Sequence, residues 1–345
     1  MYLEPIIFCF SLCAFINFIV HPIAVKVGLV DIPNQRKKHA GAIPLIGGLA
    51  IFISIAITSI LFFSSNTQIF VYLFSAMTLL ILGVLDDKND LSVTIRLITQ
   101  CGVSIFIFLA ADMYLTTFGN ILGFEVTLGK FGVLITVLSV IAAINAFNMV
   151  DGIDGLAGML SLNTFLFISV TFLLAGSEWL FLSSIFIAAI IAFLMFNLRW
   201  PSKKLGKVFM GDAGSMVIGF TVIWLLLVGV DENVSAFRPV LALYLIAIPL
   251  MDMVAIMIRR IKKGTSPFKP DREHLHHIFE RAGQSRRRAL VTISIVAFII
   301  AAIGLCMELL GVDEWKMFLV FCLLFMVYNY CLIHVWKILS WIRKH

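Results

Sequence analysis

Long apolar runs, separated by short polar connections, organise this chain. They fall near residues 5–25, 44–63, 69–85, 95–115, 131–149, 158–176, 179–197, 214–230, 237–258, 290–311 and 316–337. A helix needs roughly 20 apolar residues to cross a bilayer, and these runs are about that long. The pattern predicts an all-α polytopic membrane protein of about 11 transmembrane helices. The first run reads as a permanent span, because it opens on Glu4 and lacks a clear small-residue cleavage site. Segments 64–68 and 176–179 read as tight turns, and 116–130 as a turn or small hairpin.

Composition narrows the class. Of 345 residues 61% are hydrophobic and 13% charged, with a mean hydropathy of +1.04. A soluble domain averages about 25% charged residues. An ordinary cytosolic enzyme, a disordered chain and a collagen-like fibre are therefore excluded. Residues 1–345 read as one integral membrane domain. The six cysteines all sit in apolar runs with no CxxC pair, so they read as small core residues.

Charge gives the chain a sidedness. Of 26 lysines and arginines, 23 lie in segments 26–43, 86–96, 198–213, 259–289 and the tail from 337. Lys130, Arg238 and Lys316 lie in the alternate loops. The positive-inside rule assigns the basic set to the cytoplasm. Eleven spans then put the N-terminus in the periplasm and the C-terminus in the cytoplasm. A basic face also suits an anionic, phosphate-bearing substrate.

Candidate chemistry gathers in the same basic segments, so the active site is expected on the cytoplasmic face. Asp86, Asp87 and Asp90 crowd one helix end, and on a helix both Asp86 and Asp87 share a face with Asp90. Like charges at that spacing call for a cation, such as Mg²⁺ or Mn²⁺ with phosphate; a solvated helix end paired to Lys88 is the plainer reading. Asn145, Asn148, Asp151 and Asp154 recur every three residues. They predict a polar stripe, with Gly152, Gly155 and Gly158 as a small-residue row for close packing. Gly211 and Gly214 bracket Asp212 where the eighth span starts. That turn fits close approach to an anion or an ordinary helix cap. The long loop 259–289 carries Asp271-Arg272-Glu273-His274-Leu275-His276-His277. Two readings compete for its histidines, structural zinc or contacts to phosphate and sugar. No cysteine lies near and the ligand spacing is unclear, which favours the second. The basic, Pro- and Gly-punctuated segment 31–48 fits a phosphate contact or a topology anchor.

Taken together, Asp86-Asp87-x-x-Asp90, Asn148-Met-Val-Asp151-Gly-Ile-Asp154-Gly, Gly211-Asp212-x-Gly-Ser215 and His274-x-His276-His277 resemble the polyprenyl-phosphate N-acetylhexosamine-1-phosphate transferase superfamily. The four signatures occur in family order along nearly the whole chain. The stretch from Ser266 to Phe279 is most similar to the bacterial branch that uses N-acetylglucosamine. The resemblance implies UDP-N-acetylglucosamine (UDP-GlcNAc) as donor, undecaprenyl phosphate as acceptor, UMP as leaving group and the bacterial inner membrane as location. It also implies a place at the start of O-antigen or common-antigen type polysaccharide synthesis. Mg²⁺, with Mn²⁺ as a substitute, would be held by Asp212 and Asn148. Asp86 and Asp87 would position or deprotonate the lipid phosphate, with His277 as a further catalytic residue. Asp90, Arg96, Asp151, Asp154, His274 and His276 would bind substrate. Direct displacement is favoured over a covalent phospho-aspartate. UDP-GalNAc and UDP-MurNAc-pentapeptide are alternative donors, no nucleic acid is expected, and a homodimer is one option. A secondary transporter would instead place polar groups in broken helices at the bilayer midplane, often with an internal repeat. A CDP-alcohol phosphotransferase needs Ala-Arg after its Asp-Gly, where this chain has Leu156-Ala157.

Overall fold

The computed structural model describes residues 2–33, 41–63, 67–266 and 274–334. In chain order they form α1 (Leu3–Val27), the strand pair β1 (Val30–Asp31) and β2 (Ile43–Pro44), α2 (Gly47–Phe62), α3 (Thr67–Asn89) and α4 (Val93–Ala111). Next come α5 (Phe131–Val150), α6 (Leu156–Ala175), α7 (Leu180–Asn197) and α8 (Gly211–Val230). The chain continues with α9 (Pro239–Leu245), α10 (Ala247–Lys262), α11 (Leu275–Arg281), α12 (Arg286–Leu309) and α13 (Glu314–Ile333). Among the described residues, nine helices are long and apolar enough to cross a membrane. The chain is a multi-pass membrane protein.

Two expected spans differ from a plain transmembrane helix. Segment 44–63 yields a 16-residue helix, α2, which is short for a full crossing. Segment 237–258, expected as one span, is two helices bent by 81°. Pro249 explains the break. It has no N–H for the carbonyl four residues back, Leu245. The Thr164 hydroxyl of α6 donates to that carbonyl at 2.9 Å. A freed polar group inside an apolar bundle needs such a partner.

Helix α8 is the axis of the bundle and is buried along nearly its whole length. It packs against α2, α3 and α5. Glycines let two of these helices come close at its first turn. A Cβ on Gly48 would run into the backbone of Gly214, and one on Gly83 into the backbone of Ala213. Lower down, the Tyr72 and Thr221 hydroxyls meet at 2.9 Å across α3 and α8. At the far end, segment 116–130 is a small hairpin closed by the Thr117–Thr127 bridge and a 2.9 Å bond from Phe118 N to Val126 O.

The expected stripe from Asn145 to Asp154 is not one helical face. Helix α5 stops at Val150, Asp151 is its C-cap, and Gly155 takes a φ of +79°. The glycine row is likewise split among a turn and two different neighbours.

Candidate active site

The site grows from the start of α8. Residues 43–48 clasp the strand-like approach to that helix. Phe209 N donates to Pro44 O at 2.8 Å, Gly47 N to Phe209 O at 2.9 Å, and Gly48 N to Met210 O at 3.0 Å. The chain then turns through Gly211 at φ +72°, where a Cβ would also meet the Asp87 carboxylate.

Asp87 caps α8 from another helix. Its oxygens accept from Asp212 N at 2.9 Å and Ala213 N at 3.3 Å. Free helix N-terminal amides and the positive end of the dipole favour a carboxylate there. Its neighbour Asp86 is held by other donors. It is 4% exposed and accepts from Leu91 N at 2.8 Å and Arg96 Nη1 at 3.0 Å. Asp90 leaves the group altogether: it follows the end of α3 at φ +51° and is exposed. The three aspartates therefore do not share a face, because the helix ends before the third.

Asn148, on the last turn of α5, donates to Asp212 Oδ1 at 2.6 Å and to Ser215 Oγ at 2.9 Å. Asp212 also faces Asp86 and Arg96. Asp151 faces Asp212 and Asp154. Crowding by protein, then those two charges, push the Asp151 carboxyl up to about 7; a solvent-open face on the residue tempers the first cause. Asp154 Oδ2 pairs with Lys207 Nζ at 2.7 Å, and that ammonium lies 5.1 Å over the Phe209 ring. Asn145 turns away to donate to Gln100 Oε1 at 3.0 Å between α4 and α5.

The histidines reach this cluster from the side. His274 is the N-cap of α11 and stacks on His276, with ring centroids 5.7 Å apart. The His276 ring lies against Gly152, where any Cβ would collide with it. Burial, then the neighbouring His277 and His274, lower His276 to about 3, so it is neutral near pH 7. Its Nε2 is buried and makes no hydrogen bond among the described residues. His277 Nδ1 lies 3.3 Å from Glu280, which also takes Arg286 Nε at 2.6 Å. Asp271, Arg272, Glu273 and His39 lie outside the described residues.

Residues 69–230 match glycosyl transferase family 4, a stretch that carries the acidic ends of α3 and α5 and the first turn of α8. A relative from Pasteurella multocida (strain Pm70), an undecaprenyl-phosphate alpha-N-acetylglucosaminyl 1-phosphate transferase, is 48% identical over 94% of this chain and 92% of its own. Relatives of the same name from Haemophilus influenzae and Escherichia coli (strain K12) are 45% and 44% identical. They are covered over 96% and 90% of their lengths, and the matches span 98% and 95% of this chain. The chain belongs to this transferase family. Its matched stretch ends at Val230, so the histidine segment of the transferase lies beyond it.

The donor set at the α8 turn is all oxygen and amide. Among the described residues, no three His, Cys, Asp or Glu side chains converge as a ready metal cage. Magnesium does not require one. It is commonly held by one or two carboxylates, with water and substrate phosphates completing the shell. Asp212, with Asn148 beside it and Asp86 and Asp151 facing it, fits that pattern. Asn148 would have to turn its amide to offer oxygen.

Two further polar residues of this transferase have partners that its sequence motifs do not indicate. Lys207 pairs with Asp154 across 53 positions, which no local spacing reveals. Asp252 sits buried in the apolar helix α10. An ionisable residue in such a run is itself a functional signal, and that signal could have singled it out.

Proposed function

We propose that this chain transfers N-acetylglucosamine-1-phosphate from UDP-GlcNAc to undecaprenyl phosphate in the bacterial inner membrane, releasing UMP. The site would face the cytoplasm, as the 23 of 26 basic residues in one set of loops suggest. The product would feed O-antigen or common-antigen type polysaccharide synthesis. The observation that carries the reading is the gathering of Asp87, Asn148 and Asp151, from two other helix ends, around Asp212 on the first turn of α8. Relatives of that activity's name run nearly full length.

In the reaction, an oxygen of the lipid phosphate forms a bond to the phosphorus that bears the sugar. The bond from that phosphorus to the UMP oxygen breaks, and UMP leaves with the electron pair. All reacting groups are anionic, so positioning and charge neutralisation dominate. Asp212 and Asn148 would hold Mg²⁺ or Mn²⁺, which when bound neutralises the diphosphate and polarises the reacting phosphoryl group. Arg96, steadied by Asp86 at 3.0 Å, offers its remaining donors to a phosphate. Both Asp86 and Asp87 have their oxygens engaged, which favours positioning over proton removal. A lipid monophosphate is already partly dianionic near neutrality, since the second ionisation lies near 6. Direct displacement therefore suffices. Asp154 and Lys207 would take the nucleotide, and the histidines the diphosphate or sugar.

The purified protein, given undecaprenyl phosphate and one of UDP-GlcNAc, UDP-GalNAc or UDP-MurNAc-pentapeptide, decides the matter. UDP-GlcNAc should yield one UMP per lipid-diphosphate-sugar. Preference for another donor would move the reading to a sibling reaction, and no UMP from any of them would end it.

A further inference from the structure

Asp252 stands apart from the acids of the α8 turn. It is 1% exposed on α10. Three polar groups from two other segments converge on it. Its Oδ1 accepts from Leu275 N at 3.2 Å and from the Tyr328 hydroxyl at 2.9 Å. Its Oδ2 lies 3.0 Å from His274 Nδ1. Tyr328 belongs to α13, the last helix. All of these residues lie outside the stretch 69–230 that matches the family.

We propose that Asp252 is a positioning residue for the transfer reaction: it fixes the tautomer and aim of His274, and Tyr328 of the last helix holds Asp252 in place for that task. The inference rests on the reaction given above. An ionised carboxylate only accepts hydrogen bonds, so the nitrogen facing it, Nδ1, carries a proton. Nε2 is thereby left as the working nitrogen of His274. The same arrangement orients imidazoles in hydrolase triads and behind metal-bound histidines.

The consequence reaches the acid cluster. The His274 ring is nearly parallel to His276, at 11°. His276 in turn rests on Gly152, next to Asp151. A turn of the His274 ring would disturb that stack and the loop that carries Asp151 and Asp154. A carboxylate that merely tied α10, α11 and α13 together would not need an imidazole among its partners. The amide N–H and the tyrosine hydroxyl already bind Oδ1.

Asp252→Asn separates the two roles. Asparagine keeps the shape, and its oxygen can still accept from Leu275 N and Tyr328. Its NH₂ then faces His274 Nδ1 and forces the opposite tautomer. Positioning requires kcat to fall on the order of a hundredfold, with the KM for UDP-GlcNAc and the thermal midpoint close to wild type. Adding Asp252→Asn to His274→Ala should cost little more, because the residue acts through that ring. Wild-type kcat in Asp252→Asn, or its full loss repeated on top of His274→Ala, would overturn the proposal. If Asp252→Asn fails to fold, Tyr328→Phe decides. It keeps the carboxylate and should lower kcat severalfold without changing KM, and unchanged kcat would count against the proposal. An inactive wild-type protein with all three donors would remove the reaction itself, and this inference with it. An active wild type with an indifferent Asp252→Asn removes the inference alone.

Discussion

Arg238 at the hairpin end and the carboxylates of the α8 turn handle charge in opposite ways. At the hairpin end, Arg238 meets both oxygens of Glu308, with Nε at 3.1 and 3.0 Å and Nη2 at 2.9 Å. It also donates to Val312 O at 2.9 Å, while Tyr244 donates to Met317 O. That closed pair ties α9 to α12 and α13, while Glu314 at the same end keeps a buried Oε2 with no hydrogen-bond partner among the described residues. At the α8 turn, Asp86, Asp87, Asp151, Asp154 and Asp212 gather, and the ion pairs among the described residues are Arg96 to Asp86 and Lys207 to Asp154. Carboxylates left facing one another oppose folding. An arrangement that keeps them is built to receive a positive ligand. The Arg238 pair fastens helices together, and the clustered carboxylates mark the α8 turn as the end suited to a cation.

Substitutions at the two ends should therefore move different quantities. Asp212→Asn should have the largest effect, lowering turnover about a thousandfold or more, with the thermal midpoint unchanged or raised because a like charge is removed. Turnover within tenfold of wild type would break the contrast. At the other end, Arg238→Ala leaves Glu308 unpaired and should cost about 3 kcal/mol of stability. Activity per folded molecule should be unchanged, as read by midpoint and specific activity together. Gly83→Ala links the two quantities. Its Cβ pushes α3 away from Ala213, so about 2 kcal/mol of stability should be lost. Activity should fall about tenfold as the Asp87 cap shifts. The smallest effect belongs to Lys207→Met, since its ion pair is partly exposed and such pairs are worth about 1 kcal/mol or less. The KM for the donor should rise severalfold with little change in kcat, a split that steady-state kinetics resolves.

The contrast also shows what can be read from sequence. Helix positions are legible because most apolar runs are long and most of their limits are marked by charge, glycine or a short polar stretch such as 64–68. The break at Pro249 was harder to place. The proline is visible, but its outcome depends on Thr164, 81 positions from Leu245. The residue types at the α8 turn were legible too, yet their geometry was not. Helical spacing groups Asp86, Asp87 and Asp90, whereas the backbone turns left-handed at Asp90 and sends the first two to different partners. Asn145 and Asn148 share a spacing and a helix, but only Asn148 reaches Asp212. Lys207 with Asp154, and Tyr328 with Asp252, lie 53 and 76 positions apart. Such pairs leave no local periodicity to detect.

The surplus carboxylates of the α8 turn are expected to hold a divalent cation for the diphosphate. Mn²⁺ binding to the purified protein in the presence of UDP, followed by electron paramagnetic resonance, tests this without relying on turnover. Wild type and Arg238→Lys should each bind about one equivalent, with the site lost in Asp212→Asn. Equal binding by wild type and Asp212→Asn, or none by either, would contradict it.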